Sequence, residues 1–254
     1  MKILVCVKRV PMTGGRIVLT ADQQLIDVRH LAFTISPHEE CGVEEAVRLI
    51  EANGGESVVL TLGPAEAVEQ LRDAMALGID RAIHLETGAE EWDPEATAAA
   101  IVEAIMVDEG ASGAFDLVVF GNESADFAGY QVGLRVAQAL ARPCLTGIKR
   151  VLLEGSQVRC EQEVDGGRDV YVVAMPAVIT VKEGLNLPRY PSVPGRMRAG
   201  RKPIARSLPA RPEPRLEKVR LVVPSGRGRQ AEVLGHGASA AAAVVETMVK
   251  LGVL

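Results

Sequence analysis

Four cysteines and four histidines are the side chains of this 254-residue sequence most suited to metal or nucleophilic chemistry. Cys6, Cys41, Cys144 and Cys160 are far apart and form no CxxC pair, so they lack the clustered thiolates of zinc and iron–sulfur sites. His30, His38, His84 and His236 show neither HxH nor HExxH spacing, and each reads as a surface or capping histidine. Ser124 stands in Glu123-Ser124-Ala125 rather than in GxSxG, and no histidine is placed to activate it. Neither GxGxxG nor GxxxxGK[ST] occurs, and no paired carboxylates suggest acid/base work. Spacing therefore predicts no catalytic residue and no metal, and it favours a binding or carrier module over an enzyme.

The residues left to consider are those that a sheet would gather at one edge. Residues 2–7 form a continuous apolar run, as do 57–62, 81–85 and 116–120, and helical patterns alternate with them. Ser36-Pro37 followed by Glu39 and Glu40 opens one helix in the manner of an N-cap, and Asn53-Gly54-Gly55 ends it. A second helix ends at Gly78, Asp93-Pro94 caps a third, and a fourth runs from about Gly129 to Ala141. Strands that are apolar on both faces and alternate with helices predict a three-layer α/β fold around a mostly parallel, Rossmann-like sheet. Residues 145–174 read as a small antiparallel meander with turns at Gly155 and Gly166, and 177–181 as another buried strand. Residues 16–27 hold a possible small hairpin, 185–228 read as mostly irregular, and a last helix covers about 239–250.

In open parallel sheets, ligands bind beyond the carboxyl ends of the strands. Four loops qualify: 8–14, 35–38, 62–64 and 121–133. In the last, Gly121 and Gly129 allow close approach of backbone, and a helix starting near Gln131-Val132-Gly133 would offer free N–H groups to a phosphate. On residues alone, the choice between a nucleotide site and an ordinary strand–loop–helix connection stays open.

Charge adds a second feature. The net charge is −5, yet residues 189–229 hold ten Arg and two Lys against only Glu213 and Glu217. An acidic body thus carries a basic, Pro-rich stretch. Aromatics make up 3% of residues, too few for a stacking surface, and an acidic body would repel a phosphate backbone, so nucleic acid is not the expected partner. No apolar run approaches the roughly 20 residues of a membrane helix. The opening Met1-Lys2 and its short apolar run are not a signal-peptide core, and the scattered cysteines suit reduced thiols; both point to a cytoplasmic setting.

Several stretches together resemble the β subunit of electron transfer flavoprotein (the ETF beta/FixA family) over nearly the whole chain. They are Val5-Cys6-Val7-Lys8-Arg9-Val10-Pro11, Val43-Glu44-Glu45-Ala46-Val47-Arg48-Leu49, Glu163-Val164-Asp165-Gly166-Gly167 with Met175-Pro176-Ala177-Val178-Ile179-Thr180, and Gly184-Leu185-Asn186-Leu187-Pro188-Arg189-Tyr190. The resemblance implies an adenine-nucleotide alpha-hydrolase-like domain over 1–184, with 185–254 as the end of a recognition loop, a basic arm and a C-terminal helix that packs on a partner. It implies a heterodimer with an α subunit that holds most of the redox-active FAD. Electrons enter from acyl-CoA or related dehydrogenases and leave to a quinone oxidoreductase or another acceptor.

The resemblance further implies a structural AMP in this subunit, or a second FAD in bifurcating members. The matching positions are Cys6, Ser36, Pro37, His38, Glu39, Leu62, Gly63, Gly121, Asn122, Glu123, Ser124, Asp126, Gln131 and Val132, with Thr13 facing the flavin. Ser36 stands where the family often has Asn, and Met12 where many bifurcating chains have Asp. For partner docking it implies Leu185 as anchor, with Asn186, Pro188, Arg189 and Tyr190 around it. A stand-alone nucleotide-binding α/β protein is the alternative from another class.

Overall fold

The computed structural model describes residues 1–254 except 13–16, 89, 216–217 and 224–231. Its first strand, β1 (Lys2–Cys6), is buried along its whole length. Two short strands, β2 (Val10–Pro11) and β3 (Phe33–Thr34), pair antiparallel beside the main sheet. Then come α1 (Pro37–Asn53), β4 (Glu56–Gly63), α2 (Val68–Leu77), β5 (Arg81–Glu86), α3 (Pro94–Ser112), β6 (Leu117–Gly121) and α4 (Val132–Ala139). The second half holds β7 (Cys144–Glu154), β8 (Gln157–Val164), β9 (Gly167–Ala174), β10 (Ala177–Val181), α5 (Val193–Ala199), β11 (Ile204–Ser207) and α6 (Ala241–Lys250).

The main sheet has nine strands in the order β11-β5-β4-β1-β6-β10-β7-β8-β9. Pairing is parallel from β11 through β7 and antiparallel from β7 to β9. Alternation along β1 sends its residues to two cores. Ile3 and Val5 pack with Val43 and Val47 of α1 and with Leu71 and Met75 of α2. Leu4 and Cys6 pack on the other face with Ile101 and Ile105 of α3 and Val136 of α4. The continuous apolar run at the N-terminus therefore forms a strand covered by helices on both sides, the three-layer arrangement expected from the sequence.

Two differences from that expectation concern elements near the loops of interest. The fourth helix starts at Val132, not near Gly129, because Ala128 (φ 45°) and Tyr130 (φ 55°) adopt left-handed backbone that right-handed helix cannot continue. Residues 193–207, read as irregular, instead form α5 and β11. Ser192 caps α5 by accepting the Gly195 N–H at 3.1 Å. A Cβ at Gly195 would lie 2.5 Å from the Ala76 carbonyl oxygen, so the absent side chain lets α5 lie against α2. Arg72 donates to the Ala199 and Lys202 carbonyls, and Lys202 Nζ donates to Ile79 O at 2.6 Å. β11 then adds to the sheet edge beside β5. The candidate hairpin within 16–27 reduces, among the described residues, to one bridge between Leu19 and Ile26.

Candidate functional site

β1 leads through α1 to β4 on one side, while β6 lies on its other side. This is a topological switch point, the place where open α/β sheets bind ligands beyond the carboxyl ends of their strands. The loops after β1, before α1, after β4 and after β6 all end there.

The α1 start is built from a capping box. Ser36 Oγ accepts the Glu39 N–H at 3.2 Å, and Glu39 Oε2 accepts the Ser36 N–H at 2.8 Å. Pro37 occupies the first turn, where its missing N–H costs nothing. Glu39 Oε1 also accepts the Lys8 N–H at 2.9 Å, which ties the chain leaving β1 to the helix. Burial pushes the Glu39 carboxyl up to about 8, against the hydrogen bonds from Ser36 and Lys8. A Cβ on Gly121 would sit 2.7 Å from Glu39 Cγ, so glycine at the end of β6 permits this approach.

Cys6 lies in the core on the α3/α4 side; burial, with Glu39 nearby, raises its thiol pKa strongly. Such a thiol stays protonated and is no nucleophile. Leu62 packs towards the same core. The Gly63 carbonyl accepts the Thr87 N–H at 3.0 Å and lies 3.1 Å from His84 Nε2.

The loop after β6 is tied in from both ends. Asn122 Oδ1 accepts from Thr180 Oγ1 at 2.8 Å and from the Gly147 N–H at 3.0 Å, while its Nδ2 donates to Glu123 at 2.6 Å. Glu123 also accepts from Tyr130 OH at 3.0 Å and lies 3.4 Å from His38 Nε2. Burial opposes its charge, but these hydrogen bonds and His38 outweigh it, so its pKa falls below the usual carboxylate value. His38 Nδ1 accepts the Glu183 N–H at 2.7 Å, which assigns the remaining ring proton to Nε2, facing Glu123.

Ser124 contributes its carbonyl, which accepts the Ala128 N–H at 3.0 Å. Asp126 Oδ2 accepts from Lys8 Nζ at 2.6 Å, and its buried Oδ1 has no partner among the described residues. Lys8 Nζ is also 3.5 Å from Glu91 and 5.5 Å from the Phe127 ring centre. Gln131 turns its side chain along α4 towards Arg135 and does not cap the helix. The first turn of α4, starting at Val132, thus keeps its N–H groups without a side-chain cap. Gly133 lets this turn approach the sheet, since a Cβ there would meet Thr180 Cγ2 at 3.0 Å.

The expected loops therefore come together, and Thr13 lies outside the described residues. Lys8 was missed: its spacing carried no signal, because its partner Asp126 is distant in sequence. Among the described residues no cluster of three or more His, Cys, Asp or Glu could hold a metal ion. The ingredients are a buried free acceptor, an uncapped helix start and two left-handed non-glycine residues; strain of that kind gathers at ligand sites. They suit holding a polar ligand.

The second candidate region follows β10. Gly184 (φ 90°) turns the chain, and Leu185, assigned as an anchor by resemblance, is half-buried and packs against the α1/α2 core. Leu187 and Tyr190 are instead 91% and 96% exposed, and Val193 and Met197 of α5 stand out beyond them. Asn186 and Arg189 bond α1, and Pro188 lies between exposed residues.

Fold and switch-point loops together are those of a three-layer α/β protein with a mostly parallel sheet. The chain belongs to the electron transfer flavoprotein family and is of its beta-subunit type. The model of the electron transfer flavoprotein domain matches residues 25–210. The chain is 34% identical over 206 residues to electron transfer flavoprotein subunit beta of Bacillus subtilis, covering 80% of this chain and 77% of that protein. It is 35% identical over 230 residues to the Syntrophomonas wolfei subunit beta, covering 89% and 87%. For the Bradyrhizobium diazoefficiens subunit beta the figures are 33% over 232 residues, 89% and 91%. No helix among the described residues is long and apolar enough to cross a membrane.

Proposed function

We propose that this chain pairs with an electron transfer flavoprotein α subunit as a cytoplasmic electron carrier. Electrons from an acyl-CoA or related dehydrogenase reach the FAD held mainly by α and leave to a quinone oxidoreductase or another acceptor. No bond is made or broken in this subunit. The observation that carries the reading is family membership over most of the chain, joined to the gathering of four loops at the switch point of the sheet.

AMP suits the groups that these loops gather. The uncapped start of α4 offers N–H groups to its phosphate, and the unpartnered Asp126 Oδ1 offers an acceptor to a hydroxyl or amino group. Ser36, Pro37, His38 and Glu39 form one wall, the loop from Gly121 through Asn122, Glu123 and Ser124 another, with Cys6, Leu62 and Gly63 at the strand ends. The bound nucleotide supplies structure, filling the edge of the sheet beside α.

The loop after β10 docks the dehydrogenase. Leu187, Tyr190, Val193 and Met197 form its exposed apolar side, and Leu185 supports it from within. The chain beyond β11, with α6 that buries no residue of its own, lies on α. The test is to co-express both subunits, add an acyl-CoA dehydrogenase reduced by its substrate, and follow flavin absorbance. Bleaching at catalytic dehydrogenase levels is expected. A flavin that stays oxidised, or nucleotide hydrolysis by this chain alone, would rule the reading out.

A further inference from the structure

The segment after β10 is not free chain, although its composition is that of a loop. Arg189 spreads its guanidinium between two carboxylates of α1. Nε donates to Glu44 Oε2 at 2.9 Å and Nη2 to Glu44 Oε1 at 3.0 Å, while Nη1 and Nη2 donate to Glu51 at 2.7 and 2.9 Å. The Arg189 N–H reaches Glu44 as well, at 3.2 Å. The Glu44 side chain is 5% exposed, so this pair is shielded from water on one side and open at Glu51 on the other. Three residues earlier, Asn186 Nδ2 donates to the Cys41 carbonyl at 3.0 Å and to Glu45 at 2.8 Å. Glu44 and Glu45 are adjacent on α1, and Glu51 lies two turns beyond Glu44. One helix therefore holds the segment at both ends, and Leu187 is lifted into solvent between the two pins.

We propose that Arg189, with Asn186, is a positioning residue: the clamp on α1 fixes the segment in the conformation that the electron donor docks onto. The inference rests on the docking role proposed above. A lone exposed Leu on a flexible segment would have to be ordered on every encounter, and only the fraction already in the bound shape would be competent. A planar fork that joins two carboxylates removes that cost, and lysine cannot reproduce its geometry. The outward side chains make the contact; Arg189 and Asn186 act through them.

The test uses the complete heterodimer in two measurements. Hydrogen exchange reads the amides of residues 184–190, and steady-state reduction by acyl-CoA dehydrogenase separates KM for the dehydrogenase from kcat. Arg189→Ala is expected to speed exchange in this segment and raise KM roughly tenfold, most of the rate returning at saturating dehydrogenase. Arg189→Lys should fall between, and Asn186→Ala should repeat the pattern should Arg189→Ala fail to assemble. Unchanged exchange overturns the clamp. Faster exchange with a KM within about twofold of the unaltered complex overturns its role in docking. Failure of the docking reading itself looks different, because replacing the outward Leu187 and Tyr190 with Ala would then leave KM unchanged as well.

Discussion

At the scale of single residues, the candidate site is governed by two carboxylates with different tasks, Glu39 buried and Asp126 partly so. Asp126 pairs one oxygen with Lys8 and keeps the other without a partner. Replacing Asp126 with Ala should weaken AMP binding about ten- to a hundredfold, the range for a hydrogen bond involving a charged group, and calorimetry on nucleotide-stripped heterodimer would read it. Glu39 instead serves the fold. Its carboxyl is raised from 4.5 to about 8 by burial, so the folded chain holds a proton that the unfolded chain gives up above its ordinary value. The stability that this contributes is full below about 4.5 and is lost as pH rises through about 8. Denaturant midpoints should fall across that window, and the Glu39→Gln variant should lack this part of the slope. Of this pair the sequence shows one clearly. Ser36 and Glu39 carry the spacing of a capping box, whereas Lys8 and Asp126 meet only because β1 and β6 are neighbours.

At the scale of elements, the parallel strands and the helices on both sheet faces were legible because each carries its own period and cap. The start of α4 agrees with the helix start read near Gln131-Val132-Gly133, whereas a helix already running from Gly129 is excluded by left-handed Tyr130, a conformation set by the loop and not by residue preference. α5 and β11 were hidden for another reason. They are short and lie in a Pro-, Gly- and Arg-rich stretch, and what holds them is tertiary: the closeness of Gly195 to Ala76 and the bonds of Arg72 and Lys202 between α2 and the chain after α5. Gly195→Ala should therefore destabilise the chain by about 1–3 kcal/mol in urea unfolding, the cost of forcing a methyl into a closed contact. A variant as stable as the parent would show that α5 does not lie so close. Leu185, the anchor that the resemblance implies, is half-buried against the α1/α2 core, while Leu187 and Tyr190 stand in solvent beside it.

At the scale of the whole molecule, the division into acidic body and basic stretch is partly resolved within the chain. Arg189, Arg196, Arg206, Arg211, Arg215 and Lys218 each pair with a carboxylate of the body. Most are exposed pairs, worth about 0–1 kcal/mol each, so they orient the stretch more than they stabilise it. Arg198 and Arg201 form no ion pair with a described residue and flank the exposed apolar side chains of α5. Reduction by a dehydrogenase should accordingly slow as salt rises, and less so in an Arg198→Ala, Arg201→Ala double variant. Stopped-flow rates across a salt series would show it. The strand β9, with Val170, Tyr171 and Val172 on view, and α6, with Val244, Val245 and Val249 on view, leave apolar side chains in solvent, which suits a subunit of a larger assembly. The central claim is that this chain holds a structural nucleotide while its partner holds the flavin. It is tested most directly by purifying the heterodimer, releasing its ligands and counting them by mass spectrometry. The account expects one AMP and one FAD per heterodimer; a second FAD in place of AMP, or no nucleotide besides the one FAD, would contradict it.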